Sequence, residues 1–365
     1  MAQSGSTDKN VQIKDSIDSG FSGFLKKKDI EFSFQRYAID ALAGMAQGLF
    51  ASLLIGTIFS TLGDLTHIEM LGQIGGFAKS VAGPAMAIAI GHALKTPPLV
   101  LFSLAAVGFA ANDLGGAGGP LAVLLIAIVA AEVGKAVSKE TKVDILVTPG
   151  LTIGVGAILA ILCAPLIGSA ASGVGNLIMW ATELHPVVMG MIVSLIVGIA
   201  LTLPISSAAI CAALGLTGLA GGAALAGCSA QMVGFAVMSF KENKWGGLIS
   251  QGIGTSMLQM PNIMKKPIIW LPPIITSLIT GPLATAVFAL EQNGAAIASG
   301  MGTSGLVGPI GLYSGWVADG IAIDVFHWTG LILICFVLPA LITWAVSAFM
   351  RKVGLIQFGD LKLPE

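Results

Sequence analysis

The chain has 365 residues, 55% hydrophobic and only 10% charged, with a formal net charge of −1 and a mean hydropathy of +0.91. Soluble domains carry roughly 25% charged residues, so most of this surface faces lipid, and a near-neutral balance without a long basic stripe excludes a nucleic-acid partner. Apolar runs recur to the C-terminus, which makes the chain an all-α polytopic membrane protein.

Residues 1–37 are polar and charged and read as a cytoplasmic segment rather than a signal peptide. Within it, VQIKDSIDSGFSGFLKKKDIEFSF places Lys26, Lys27 and Lys28 beside Phe21, Phe24 and Leu25. That pattern suits an amphipathic helix lying on an anionic leaflet; the first ten residues read equally well as a leader without fixed structure. The membrane domain spans 38–350. Apolar runs predict about ten transmembrane helices, at 38–61, 74–94, 98–112, 119–136, 146–168, 187–203, 205–220, 222–240, 268–290 and 326–349. Two further stretches, about 246–263 and 293–316, are apolar but rich in glycine and polar residues. Residues 351–365 form a C-terminal tail.

Charge asymmetry orients this threading. With the N-terminus in the cytoplasm, Lys95, Lys135, Lys139, Lys142, Lys241 and Lys244 fall inside. If 246–263 enters and turns back, Lys265 and Lys266 stay inside too. If 293–316 does the same from the outside, Arg351, Lys352 and Lys362 end in the cytoplasm. Only Lys79 falls on the wrong side. The two stretches are therefore expected to be re-entrant hairpins, with both termini cytoplasmic.

Both stretches carry one decapeptide. GIGTSMLQMP at 252–261 and GMGTSGLVGP at 300–309 share the pattern Gly-x-Gly-Thr-Ser-x-Leu-x-x-Pro. Irregular backbone at membrane depth is tolerated only where protein buries it or where it lines a wet cavity. Paired broken elements in the two halves of a transporter point to its binding site. The expected substrate-binding residues are Gly254, Thr255, Ser256, Gly302, Thr303 and Ser304, with Asn262 just beyond the first copy. The glycines permit close backbone approach, each Thr-Ser pair offers hydroxyls and a cap for a half-helix, and a helix start favours an anionic group. Close packing of small residues is the competing explanation.

Other polar groups are less pointed. Glu183 and His185, in WATELHPVVMG beside Pro186, suit a coupling or proton relay, and interfacial placement explains them equally. Asn112 and Asp113 suit a turn. Glu132 precedes Lys135 by about one turn and is expected to pair with it. Gln231 needs a buried partner. The four cysteines lack CxxC spacing and the four histidines lack metal-site spacing. No nucleotide-binding or hydrolase motif appears, so neither a catalytic residue nor a cofactor is expected.

Three stretches carry a resemblance: FSFQRYAIDALAGMAQGLFASLLIGTIF, ELHPVVMGMIVSLIVGIALTLPISSAAI and GMGTSGLVGPIG. Over most of 30–350 the chain resembles the stand-alone enzyme IIC-like membrane proteins of the phosphotransferase system, the branch that includes the perfringolysin-regulator type. The resemblance implies a bacterial plasma-membrane location, a homodimer, and an elevator-type architecture in which a mobile domain with re-entrant hairpins moves against a scaffold. In enzyme IIC proteins proper, a IIB protein phosphorylates the sugar, and a Gly-Ile-Thr-Glu-Pro motif brings a glutamate to it. This chain departs there: no acidic residue lies between Lys244 and Glu291, and a fused IIA or IIB domain is not expected. The expected function is transport of a small polar or anionic solute without phosphorylation. The alternatives are a membrane sensor or regulator that keeps the transporter fold, and a sugar permease that phosphorylates with IIB in trans.

Overall fold

The computed structural model describes residues 22–363, so the expected leader over the first ten residues and the start of the amphipathic segment lie outside the described residues. Secondary structure among the described residues is helical, apart from one isolated antiparallel bridge between Gly218 and Gln292. A short helix α1 (22–27) leads into an extended stretch rather than a continuous amphipathic helix. Then α2 (35–66) runs without a break through Gln35–Asp40, Ala41–Leu49, Phe50–Leu54 and Ile55–Thr66, and two of those turns, Gln35–Asp40 and Phe50–Leu54, are widened to π geometry. Such widened turns cluster at functional sites.

The next helices are α3 (Glu69–Ser80) and α4 (Ala82–Ala93), which form one pair bent by 49°. They are followed by α5 (Pro98–Gly115) and α6 (Gly119–Val137), each opened by a proline in its first turn, where the missing N–H costs nothing. Next, α7 (Asp144–Thr182) has 39 residues, a length of about 58 Å at 1.5 Å per residue. The second half comprises α8 (Pro186–Thr202), α9 (Ser207–Leu214), α10 (Gly218–Met238), α11 (Phe240–Ile249), α12 (Met260–Lys265), α13 (Pro267–Val287), α14 (Ala296–Ser299), α15 (Val307–Ala318) and α16 (Val325–Lys352).

Among the described residues six helical segments are long and apolar enough to cross a membrane, or seven if the bent α3–α4 pair is one span. The expected span over 205–220 does not form as one helix. After Leu214 the chain turns through Gly215 at φ +59 and restarts at Gly218, a left-handed stop that glycine permits at no steric cost.

The helices pack in two groups. In the first, α2, α4, α5, α6 and α7 enclose Met45, Met86, Ile90, Leu104, Val107 and Ala127. In the second, α8, α13 and α16 surround α10, whose sequence GLAGGAALAGCSAQMVGFAVM buries nearly every residue. Lipid offers no hydrophobic drive for such packing, so small residues and close backbones supply it. A Cβ placed on Gly227 would lie 1.9 Å from the Ser194 carbonyl oxygen on α8. Hydroxyls tie the same helices: Thr276 and Thr343 share a hydrogen bond of 2.7 Å, and Ser194 donates to the Ser277 carbonyl.

Two polar assemblies close one end of the bundle. In the first, Lys135 is almost fully buried, 3.2 Å from Glu132, and donates to the carbonyls of Asp29 and Leu94. Arg36 bonds Asp29 at 2.7 Å and the Leu94 carbonyl at 2.8 Å, and its hydrogen bond holds the Asp29 carboxyl below the usual range. Lys28 pairs with Glu140 at 2.5 Å, so its charge is spent on the protein. In the second, the C-terminal tail folds back and buries Ile356 and Leu361 completely.

Candidate functional site

Each decapeptide sits where a helix breaks and the chain reverses. In the first copy the helical path of α11 runs on through Ser250–Gly254, Thr255 is extended at φ −154, and Ser256–Gln259 winds into α12. Both ends of this excursion hang on the same tail residues. Asn243 and Gln259 donate to the Leu361 carbonyl at 2.8 and 2.9 Å, Asn262 donates to the Lys362 carbonyl at 2.9 Å, and Lys266 pairs with Asp360 at 2.6 Å. In the second copy the break lies between α14 and α15, and its two ends meet where Asn293 donates to Asp319 at 2.8 Å.

The two tips touch. Thr303 of the second copy donates its hydroxyl to the carbonyl of Gly252 in the first. Gly302 takes φ +54, and a Cβ there would lie 2.7 Å from the Cys228 Cβ on α10. A Cβ on Gly254 would lie 2.7 Å from the Phe50 ring, in a widened turn of α2. These two glycines let the tips seat against α10 and α2.

The two Thr-Ser pairs are used in opposite senses. Thr255 accepts from the Met257 amide at 3.2 Å and caps the turn that follows, while Ser256 is fully buried and bonds Thr202 at 2.8 Å. In the second copy Thr303 is the buried tie, and the Ser304 hydroxyl has no hydrogen-bond partner among the described residues and caps nothing. Positive φ at Gly302, Gly305 and Leu306 turns the second backbone where the first is extended, so identical dipeptides present different members.

Those two members, Thr255 and Ser304, line one cavity with an empty volume of about 550 Å³ including its mouth. Leu49, Leu53, Leu54 and Thr57 of α2 form one wall, Leu201 and Pro120 another, and Met257 and Met301 flank the tips. No charged side chain lines it. The start of α9 adds Ser206, Ser207 and Ala208. Ser206 caps its own helix, and Ser207 donates to the Gly300 carbonyl at 2.7 Å. This fourth contributor was missed because 205–220 was expected to be a transmembrane helix and its opening serines were given no role. Its signal was present: a proline followed by Ser-Ser is a helix-start pattern.

The other expected residues lie elsewhere. Asn262 bonds Gln259 at 2.8 Å and the tail, away from the cavity. Glu183 and His185 are exposed between α7 and α8 and do not line it. Gln231 finds its buried partners in Thr202 at 3.3 Å and Trp270 at 2.8 Å. Among the described residues no cluster of His, Cys, Asp or Glu has the makings of a metal site.

The family profile described as phosphotransferase system, EIIC, matches residues 39–363. The chain belongs to the phosphotransferase-system EIIC family. Comparisons with curated proteins and with solved structures return no match. EIIC is the membrane transport component of that system, and the apolar helices agree: this EIIC is an integral plasma-membrane protein of the permease type. Both decapeptides and the whole cavity lie within the matched residues.

Proposed function

We propose that the protein is a transporter that moves a small polar or anionic solute through the cavity between the two decapeptide tips, without phosphorylating it. The observation that carries this reading is the convergence of Thr255, Ser304 and the α9 start on one uncharged cavity. Paired broken elements at one cavity are the arrangement a transporter uses to hold a solute at the midplane. The lack of any lining carboxylate argues against the glutamate-dependent sugar chemistry of phosphorylating permeases. In this reading Gly254, Gly302, Ser256 and Thr303 position the tips, Asn262 anchors the first tip to the tail, and Glu183 and His185 remain candidates for ion coupling.

The same reading takes the two excursions as re-entrant hairpins that enter from opposite faces. Lys241, Lys244, Lys265 and Lys266 surround the base of the first, while Glu291 and Asp319 flank the second. That asymmetry favours cytoplasmic termini. The two helix groups, with the cavity between them, are consistent with an elevator in a homodimer. A second reading, a sugar permease served by a IIB protein in trans, rests on the family match.

The test is uptake into proteoliposomes. The double variant Thr255→Ala with Ser304→Ala is expected to abolish uptake while the purified protein keeps its elution volume and loses no more than the roughly 1 kcal/mol of the Thr255 cap. Full uptake by that variant removes the site. Phosphorylated product that appears only when IIB is supplied moves the assignment to the second reading.

A further inference from the structure

Two of the long apolar helices, α10 and α16, end beside each other at Met238 and Lys352. One side chain holds the junction: Arg351 donates from Nη2 to the Met238 carbonyl at 3.1 Å and to Glu242 at 2.8 Å. Beside it lies a groove with an empty volume of about 1010 Å³ including its mouth. The groove shares no lining residue with the cavity between the tips, so what it holds is independent of the transport reading.

Its two parts differ in chemistry. The walls are apolar, with Val237 and Leu248 on one side and Trp344 and Ala348 on the other. Trp344, Ala348 and Arg351 stand at i, i+4 and i+7, one face of α16, and cover about 10 Å along it. The rim is cationic. Lys241 lines it, is exposed, and its side chain has no partner among the described residues. Arg351 commits only Nη2, which leaves Nε and Nη1 without a partner among the described residues. No carboxylate lines the groove. The acidic side chains near Arg351 are already committed: Glu242 is 1% exposed and faces Arg351 itself, and Asp360 pairs with Lys266 at 2.6 Å.

The ends of two apolar spans lie at the membrane boundary, and the largely exposed Trp245 and Trp344 suit the headgroup level. A groove of this size with apolar walls, beside the hydrocarbon, is filled by an acyl chain rather than by water. The free edge of a guanidinium matches a phosphate in geometry and charge, and basic pockets between helix ends hold anionic headgroups. A zwitterionic headgroup brings an ammonium that meets two cations and no carboxylate here. A soluble phosphate uses the rim and leaves the walls empty. We infer that this groove is a binding site for an anionic glycerophospholipid. Its phosphodiester lies between Lys241 and the open edge of Arg351, and one acyl chain lies along Val237, Trp344 and Ala348. Because α11 begins here and leads into the first decapeptide, the lipid sits at the base of that excursion.

The test is quenching of tryptophan fluorescence in the purified full chain, in dodecyl maltoside, by lipids brominated on their acyl chains. Brominated phosphatidylglycerol is expected to quench saturably and brominated phosphatidylcholine at least about fivefold more weakly, while glycerol 3-phosphate displaces neither. Lys241→Gln is expected to weaken phosphatidylglycerol about fivefold, the worth of one lysine at an anionic headgroup. Lys142→Gln, which removes the same charge from an exposed residue outside the groove, is expected to leave it unchanged. Trp344→Phe should remove the saturable component, and Ala348→Phe, which fills the groove from an exposed position, should abolish it at an unchanged elution volume. The inference is overturned if phosphatidylcholine quenches as well as phosphatidylglycerol, if Lys241→Gln binds like the wild type or no worse than Lys142→Gln, or if either aromatic substitution keeps the saturable component. Displacement by glycerol 3-phosphate overturns it in favour of a soluble anion.

Discussion

Thr303 and Ser304 are adjacent hydroxyls with opposite expected roles, and stability separates them. Thr303 is fully buried and donates to the Gly252 carbonyl of the other tip. Replacing it with valine keeps the branched shape and removes the donor, so the carbonyl is left in an apolar interior. A buried polar group stripped of its partner costs about 1–3 kcal/mol, and even the average side-chain hydrogen bond between membrane helices is worth about 0.6 kcal/mol. Thr303→Val is therefore expected to lower stability by about 1–3 kcal/mol. The Ser304 hydroxyl has no hydrogen-bond partner among the described residues, so Ser304→Ala removes nothing that folding uses and should stay within about 0.5 kcal/mol of wild type. Thermal unfolding of both variants, purified in one detergent and followed by tryptophan fluorescence, reads the difference. If Thr303→Val is as stable as wild type, or Ser304→Ala is as unstable as Thr303→Val, then the assignment of tie and cavity-facing hydroxyl is wrong.

Three further outcomes follow from the packing and the charges. Gly227→Ala drives a Cβ to within 1.9 Å of a backbone carbonyl on α8 and should abolish recovery of monodisperse protein. Gly150→Ala, with nothing within 4 Å, should leave the size-exclusion profile unchanged. Lys135→Met removes Glu132's 3.2 Å partner and leaves it the Tyr37 hydroxyl at 3.0 Å and Arg36 at 3.9 Å, so the loss should fall below the roughly 3–5 kcal/mol of a fully orphaned buried charge and show as a lowered unfolding temperature. Acid should release the tail. Burial pushes the Asp360 carboxyl up, but the Lys266 hydrogen bond, the Gln357 amide and the charges of Lys266 and Arg351 outweigh it and hold it below its ordinary value. A depressed carboxylate stabilises the fold above its unfolded pKa, about 3.9, and that contribution is lost as pH falls through the lower folded value. Hydrogen exchange over 356–363 should stay slow at neutral pH and quicken only below about pH 4, and Asp360→Asn should make it fast throughout.

Hydropathy reads partition between water and lipid, and what it reports correctly here is what depends on partition alone. The helical class, most of the span positions, and the two polar excursions at 246–263 and 293–316 follow from composition and from the repeated decapeptide. The Glu132–Lys135 pair was also within reach, because both partners lie on one helix. What hydropathy misses depends on contact. Apolar character runs opposite to burial: α7, which exposes Ile145, Leu146, Ile158 and Leu162, is the more apolar helix and α10, buried on nearly all sides, the less, because the glycines and alanines that let α8 and α13 approach α10 add little hydropathy. The start of α9 was expected at the head of a span over 205–220, but Ser206 and Ser207 are too short to stand out from an apolar average, although a helix start is where they act. The clearest limit is the repeat. Six side chains agree between the copies, which fixes the chemistry delivered to the tips. Which hydroxyl reaches the cavity is set by φ at Gly302, Gly305 and Leu306, and the second copy alone carries a glycine in place of Met257. One of the four positions that differ, Gly305 against Met257, joins the repeated Gly302 and Leu306 in the left-handed turn that presents Ser304 where the first copy presents Thr255.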